Sequence, residues 1–168
     1  NTLGSISLQG VRQLDLKIGE SCMVIGLGLL GQITSLILKA SGIDVFGVDI
    51  SNKVLDFSKK NKVLNRIKSF NDENILSQVK DFTNGHGFDG VIITASSSSN
   101  EIINFSGKIS RKKGKVIVLG DVPTGFKRNP DWYNKELELK MSCSYGPGRY
   151  DYEYEEKGVD YPLPYVRW

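Results

Sequence analysis

The sequence predicts an α/β fold: a doubly wound, mostly parallel six-stranded sheet with helices on both faces. Two observations predict it. Short apolar runs such as Met23-Val24-Ile25, Val91-Ile92-Ile93 and Val116-Ile117-Val118-Leu119 lack the alternation of a one-sided strand, so they suit strands buried on both faces. Segments of helical period separate these runs, and strand-helix alternation calls for parallel strands joined by helical crossovers.

Taken in order, Thr2 to Leu16 places Leu3, Ile6, Gly10, Val11 and Leu14 on one helical face, and Ile18-Gly19-Glu20 turns the chain into a strand at Cys22–Ile25. A glycine loop follows, then a helix from Gln32 to Ala40 with Ile33, Leu36 and Ile37 inward, ended by Ser41-Gly42. Val45–Asp49 is a second strand that stops at a carboxylate. Ser51 caps a helix to about Lys60 whose inner face is Val54, Leu55 and Phe57. Arg66–Phe70 is a third strand, Asn74–Phe82 a helix, and Asn84-Gly85-His86-Gly87 a turn. Val91–Ala95 is a strand with Ser96–Ser99 at its carboxyl end. Glu101–Ile109 is a helix ending in Arg111-Lys112-Lys113 and Gly114, Lys115–Gly120 another buried strand, and Leu137–Cys143 a strand nearer the sheet edge.

A chain of 168 residues with 39% hydrophobic and 24% charged residues is one ordinary domain, placed at residues 1–146 with a tyrosine-rich arm over 147–168. The net charge of +3 is spread out, and its two basic clusters, Lys59-Lys60 and Arg111-Lys112-Lys113, read as solvated helix ends rather than a nucleic-acid patch; no apolar run approaches the ~20 residues that span a bilayer, so no membrane partner is expected either. Cys22 and Cys143 sit in apolar runs and read as buried, reduced thiols of a cytoplasmic protein. The chain opens on Asn1, and the expectation is a piece of a longer protein.

The chemistry sits in Gly26-Leu27-Gly28-Leu29-Leu30-Gly31, which fits G-x-G-x-x-G between a buried strand and a helix. Asp49 follows about 20 residues on, at the end of the next strand, as a dinucleotide-binding Rossmann fold requires. Gly26 permits the turn, Gly28 admits the pyrophosphate to the backbone, and Gly31 lets helix and strand close up. The amides of Leu29 and Leu30 face the phosphates, where the helix dipole favours negative charge. Asp49, followed by Ile50, accepts from the ribose hydroxyls and repels a 2′-phosphate, which favours NAD over NADP; Lys53, one turn on, works the other way. Alternative readings are a glycine turn without a ligand and a capping role for Asp49. Thr94, Ala95 and Ser96, then Leu119, Gly120 and Asp121, then Ser144, Tyr145 and Gly146 occupy the carboxyl ends of later strands, where ligands lie in open parallel sheets.

With those residues in place, the chain resembles the medium-chain dehydrogenase/reductase superfamily, the zinc-type alcohol dehydrogenase relatives. The likeness runs from Thr2–Arg12 through Val24–Gln32 to Ile109–Gly114, Arg128-Asn129-Pro130, Lys135-Glu136-Leu137 and Ser142–Asp151. These later segments, with Tyr154–Pro162 and Tyr165-Val166-Arg167-Trp168, look like a bacterial subgroup fused to a second oxidoreductase module of the glucose-fructose oxidoreductase type. The resemblance implies hydride transfer between a nicotinamide cofactor and an alcohol or carbonyl, sugar-derived in that subgroup. It also implies that a separate substrate domain carries any catalytic zinc, so no metal ligand or catalytic residue is assigned here, and a homo-oligomer is expected.

His86 stands alone in a glycine turn and reads as surface. The tyrosine-rich arm either packs on the missing domain or covers this domain's own surface. Two other classes compete. A methyltransferase shares the glycine loop and the acid, but Asn129-Pro130-Asp131-Trp132 falls after the wrong strand for its nucleobase motif. A nicotinamide-sensing regulatory module would use the same glycines and Asp49.

Overall fold

The structure is a computed structural model that describes residues 2–161. In chain order it runs α1 (Thr2–Leu14), β1 (Ser21–Ile25), α2 (Leu29–Ala40), β2 (Asp44–Asp49), α3 (Asn52–Lys60), β3 (Arg66–Ser69) and α4 (Ile75–Phe82). There follow β4 (Phe88–Ile93), α5 (Glu101–Ile109), β5 (Ser110–Val118), a π-helical turn at Arg128–Trp132, β6 (Glu138–Met141) and α6 (Tyr152–Glu155). The six strands form one sheet in the order β3-β2-β1-β4-β5-β6, and every pair is parallel. The strand order reverses between β1 and β4, which opens a crevice at their carboxyl ends.

Successive strand residues point to opposite faces, and each face meets helices. On one face Met23, Ile25, Phe46, Val48, Val91 and Ile93 pack against Ile75 and Val79 of α4 and Ile103 of α5. Phe46 is set edge-on to Phe82 and Phe88 at 5.3 and 5.9 Å between ring centres. On the other face Cys22, Val24, Val45, Ile92 and Ile117 pack against Leu14 of α1, Leu38 of α2 and Leu55 of α3. Two separate cores on one sheet are what the double-sided apolar strands predicted.

Three helix faces differ from expectation. On α1, Gly10 and Leu14 are buried as expected and Ile6 and Val11 half-buried, but Leu3 is exposed and Ser7 is buried in its place. On α2, Leu36 is exposed and Ile33 and Ile37 only half-buried, while Gln32, Thr34 and Ser35 face inward. Local hydrogen bonds account for two of these three polar residues. Ser35 Oγ donates to the Gly31 carbonyl at 2.7 Å, and Gln32 Nε2 donates to the Leu27 carbonyl at 2.9 Å and to Ser58 Oγ at 2.5 Å. Gln32 and Ser35 therefore enter the interior with partners. On α3, Phe57 points to solvent, because the buried pair Leu55 and Ser58 sets a stripe that Phe57 lies outside.

Of the two basic clusters, Lys59-Lys60 ends α3 as expected, but Arg111-Lys112-Lys113 is not a helix end. Arg111, Lys112 and Lys113 lie within β5, which begins five residues earlier than expected, at Ser110. Asp89 draws Arg111 into the sheet: Arg111 Nε donates to Asp89 Oδ1 at 2.6 Å, and its other side faces Glu20 at 3.5 Å. Ser21 adds its amide and hydroxyl to Asp89 Oδ2 at 2.8 and 2.9 Å, so one carboxylate ties β1, β4 and β5 together. Burial pushes the Asp89 carboxyl up, but these donors outweigh it and hold the group below the usual aspartate range.

Cys22 is buried, and burial raises its thiol, whereas Cys143 is exposed, contrary to expectation, because it follows an edge strand whose Glu138, Lys140 and Met141 are themselves exposed. Beyond β6 the chain turns over α1, with Gly146 set against the Gln9 side chain. Tyr145 donates its hydroxyl to Glu155, which Arg149 also contacts at 2.6 Å, and Tyr154 stacks on Tyr161 at 5.4 Å. Up to Tyr161 the arm folds on itself and on Tyr145; the expectations for Pro162 to Trp168 lie outside the described residues.

Candidate cofactor site

The glycine loop leaves β1 through Gly26, whose φ of +96° favours glycine. A side chain there would also strike the backbone of Ala95, its nearest atom 2.7 Å from an added Cβ. Gly26 is fixed on both sides. Its amide donates to the Val48 carbonyl at 2.8 Å, and its carbonyl accepts from Thr94 Oγ1 at 2.5 Å. Gly31 closes the loop, since a Cβ there would lie 1.9 Å from the Gly26 oxygen. Gly28 differs from both: an added Cβ would meet nothing within 4 Å. Its bare face looks into open space beside the first turn of α2, where the amides of Leu29 and Leu30 lack carbonyl partners by helix geometry. That is the space a pyrophosphate needs.

Asp49 ends β2 and is fixed by two backbone donors. Leu27 N donates to its Oδ2 at 2.7 Å and Ser51 N to its Oδ1 at 2.8 Å. A carboxylate has about four acceptor positions, so capacity remains toward the cavity it lines. This cavity, of about 240 Å³, lies over the ends of β1, β2, β3 and β4. Of the residues expected at the site, Gly26, Asp49, Ile50, Ala95 and Ser96 meet there. Thr94 sits behind them as the strut that holds Gly26, and Lys53 is exposed on α3.

The structure does not bring Leu119, Gly120, Ser144 and Tyr145 into this cavity. The Leu119 side chain packs on Gly10 of α1, and at Gly120, just after β5, the chain passes so close to Ala95 that a Cβ would lie 2.0 Å from the Ala95 oxygen. Ser144 and Tyr145 begin the turn over α1. Asp121 instead forms a parallel bridge with Ser96, joining the loops after β4 and β5. Sequence reasoning missed Phe70, Asn71, Glu101 and Ile102, which complete the cavity from the end of β3 and the start of α5. The rule that placed Asp49 also covers the carboxyl end of β3, so Phe70 and Asn71 were within its reach.

Residues 30–157 match a family of zinc-binding dehydrogenases, about three quarters of the chain. The chain belongs to that family. This dehydrogenase domain is also similar in fold to several solved structures. An Escherichia coli oxidoreductase/dehydrogenase of unknown specificity involved in membrane biogenesis is 21% identical with a TM-score of 0.76, over 86% of this chain and 41% of that one. An alcohol dehydrogenase from Thermus sp. ATN1 is 20% identical with a TM-score of 0.73, over 85% and 41%. A putative zinc-binding dehydrogenase from Sinorhizobium meliloti 1021, bound to NADP, is 20% identical with a TM-score of 0.72, over 84% and 42%. The dehydrogenase domain thus spans less than half the length of these proteins. A comparison with curated protein sequences finds no match.

The part of the family present is the cofactor-binding domain. Zinc does not fit it: among the described residues no three His, Cys, Asp or Glu side chains are grouped as a metal requires, and His86 is exposed and far in sequence from either cysteine. No helix among the described residues is long and apolar enough to cross a membrane.

Proposed function

We propose that the domain binds NAD, in preference to NADP, as the cofactor half of an oxidoreductase that moves hydride between nicotinamide and an alcohol or carbonyl. One observation carries the choice of NAD: the Asp49 carboxylate, anchored at 2.7 and 2.8 Å, lines the cavity beneath the glycine loop. Its free acceptor positions suit the two ribose hydroxyls, and its charge opposes a phosphate on the 2′ oxygen. The apolar walls, with Ile50 exposed at the mouth, suit an adenine ring. The family match favours this reading over a methyltransferase or a sensing module.

The bound nicotinamide would supply the hydride chemistry; the protein supplies position and electrostatics. Here Leu29 and Leu30 present amides to the phosphates, Asp49 sets the ribose, and Thr94 keeps Gly26 from moving under the load. The solved neighbours are about twice as long, which supports a separate substrate domain carrying the alcohol or carbonyl site and any metal. A fused second oxidoreductase module, a homo-oligomer and a cytoplasmic setting belong to the same proposal.

Calorimetric titration with NADH, NADPH and S-adenosylmethionine tests it. NADH should bind most tightly, and binding of S-adenosylmethionine alone would end the dehydrogenase reading. Asp49→Ala should weaken NADH by about ten- to a hundredfold, the scale of a charge-assisted hydrogen bond, and NADPH by less. Equal losses for both would refute the ribose role.

A further inference from the structure

The cavity under the glycine loop holds two carboxylates, and they are placed differently. Asp49 is engaged by two backbone amides. Glu101, in the first turn of α5, lines the same cavity, and its side chain has no hydrogen bond or ion pair among the described residues. The walls near it are apolar, with Phe70 from the end of β3 and Ile102 from its own helix. Phe70 is held edge-on to Phe105 of α5 at 5.0 Å, so β3 and α5 fix the width of this end of the cavity. Of its other polar residues, Asn71 stands on the rim and the serines are small. Ser97 accepts the Ser99 amide and gives its own amide to Asp121.

We infer that Glu101 recognises the exocyclic amine of the adenine base. The inference rests on the reading of this cavity as the adenosine end of a dinucleotide site. With the ribose at Asp49, a planar base extending between Ile50, Phe70 and Ile102 turns one polar edge outward, toward α5. An ionised carboxylate only accepts hydrogen bonds. Of the polar groups on adenine's six-membered edge, the amine on C6 donates and the ring nitrogens accept, so the amine is the partner Glu101 can take. Asn71, on the same rim, has a side-chain amide able to donate to a ring nitrogen. Glu101 is thereby a specificity-determining residue, and the base is held by its edge as well as by its faces.

The test is a thermodynamic cycle on the full chain, read by titration and independent of turnover. Its two ligands are NADH and the analogue with unsubstituted purine in place of adenine, which lacks only the amine. The wild type should bind the purine analogue about tenfold more weakly, the scale of one hydrogen bond to a charged group at a half-open site. Glu101→Ala should bind the two within about twofold of each other, since the coupling disappears with either partner. Glu101→Gln keeps a carbonyl that accepts from the amine and should restore part of the preference, which a purely structural role would not. Equal binding of both ligands by the wild type, or the same tenfold ratio in Glu101→Ala, overturns the inference and leaves the cofactor reading standing. If neither ligand binds the wild type, the cofactor reading itself fails and takes the inference with it. Glu101 is exposed, so the variants should fold, and matching melting temperatures check this.

Discussion

Gly31→Ala should destabilise the domain by about 3 kcal/mol or more and abolish dinucleotide binding, while Gly28→Ala should leave it folded and still weaken NADH. The contrast comes from what each methyl group would meet. At Gly31 it would lie 1.9 Å from the Gly26 oxygen and 2.9 Å from Thr94 Oγ1. Neither neighbour can yield cheaply, because the Gly26 carbonyl is held by Thr94 and the Gly26 amide by Val48. The loop and α2 must separate, which corresponds to a drop in melting temperature of about 6–12 °C for a domain of this size. At Gly28 the methyl meets nothing within 4 Å, so melting should shift by no more than about 2 °C. It would, however, occupy the space assigned to the pyrophosphate and cost about tenfold or more in affinity for NADH. Thermal melts and titrations of both variants separate the cases. A Gly31→Ala variant as stable as wild type would sink the packing argument, and a Gly28→Ala variant with unchanged affinity would move the phosphates elsewhere.

Asp89→Ala should cost about 2–3 kcal/mol, because it removes the acceptor of Arg111 Nε and of the Ser21 amide at the amino end of the sheet. The penalty should depend on pH in a definite sense. The folded protein holds this carboxyl below its ordinary value, so its contribution is complete above about pH 4. It declines as pH falls below that and is gone once pH is under the depressed value. The stability gap between wild type and Asp89→Ala, measured by urea unfolding at pH 7 and at successively lower pH, should therefore narrow on acidification. A gap that stays constant or widens would contradict the pairing.

The sheet and Asp49 were legible because they follow from rules with one outcome. A strand buried on both faces reads as a continuous apolar run, and a glycine loop followed by an acid at the next strand end is rare outside nucleotide-binding folds. The inner face of α2 was not legible. Periodicity points to Ile33, Leu36 and Ile37, yet Gln32 Nε2 and Ser35 Oγ are bonded to Leu27, Ser58 and Gly31, and hydropathy alone does not register such bonds. The start of β5 was lost for a related reason. Arg111 looks like a surface charge until Asp89, 22 residues earlier, is seen to pair with it. Part of the cavity was hidden because Phe70, Asn71, Glu101 and Ile102 lie on two segments about 30 residues apart, joined only by the placement of β3 and α5 around the sheet.

The bridge between Ser96 and Asp121 bears on how the crevice moves. Ser97 N donates to the Asp121 carbonyl at 2.9 Å and Asp121 N to the Ala95 carbonyl at 3.2 Å, while Gly120 presses on Ala95. The loops after β4 and β5 thus continue the sheet beyond its named strands and behave as one stiff wall. No such link is present, among the described residues, between the segment after β2 at Ile50 and the segment after β3 at Asn71 beyond the bond from Phe70 N to the Asp49 carbonyl. Tightening around a dinucleotide would then be asymmetric, with the Ile50 and Asn71 side closing on a wall that stays still. In hydrogen exchange the amides of Ser97, Gly120 and Asp121 should be slow with or without NADH, and the slowing caused by NADH should fall on residues 50 and 71.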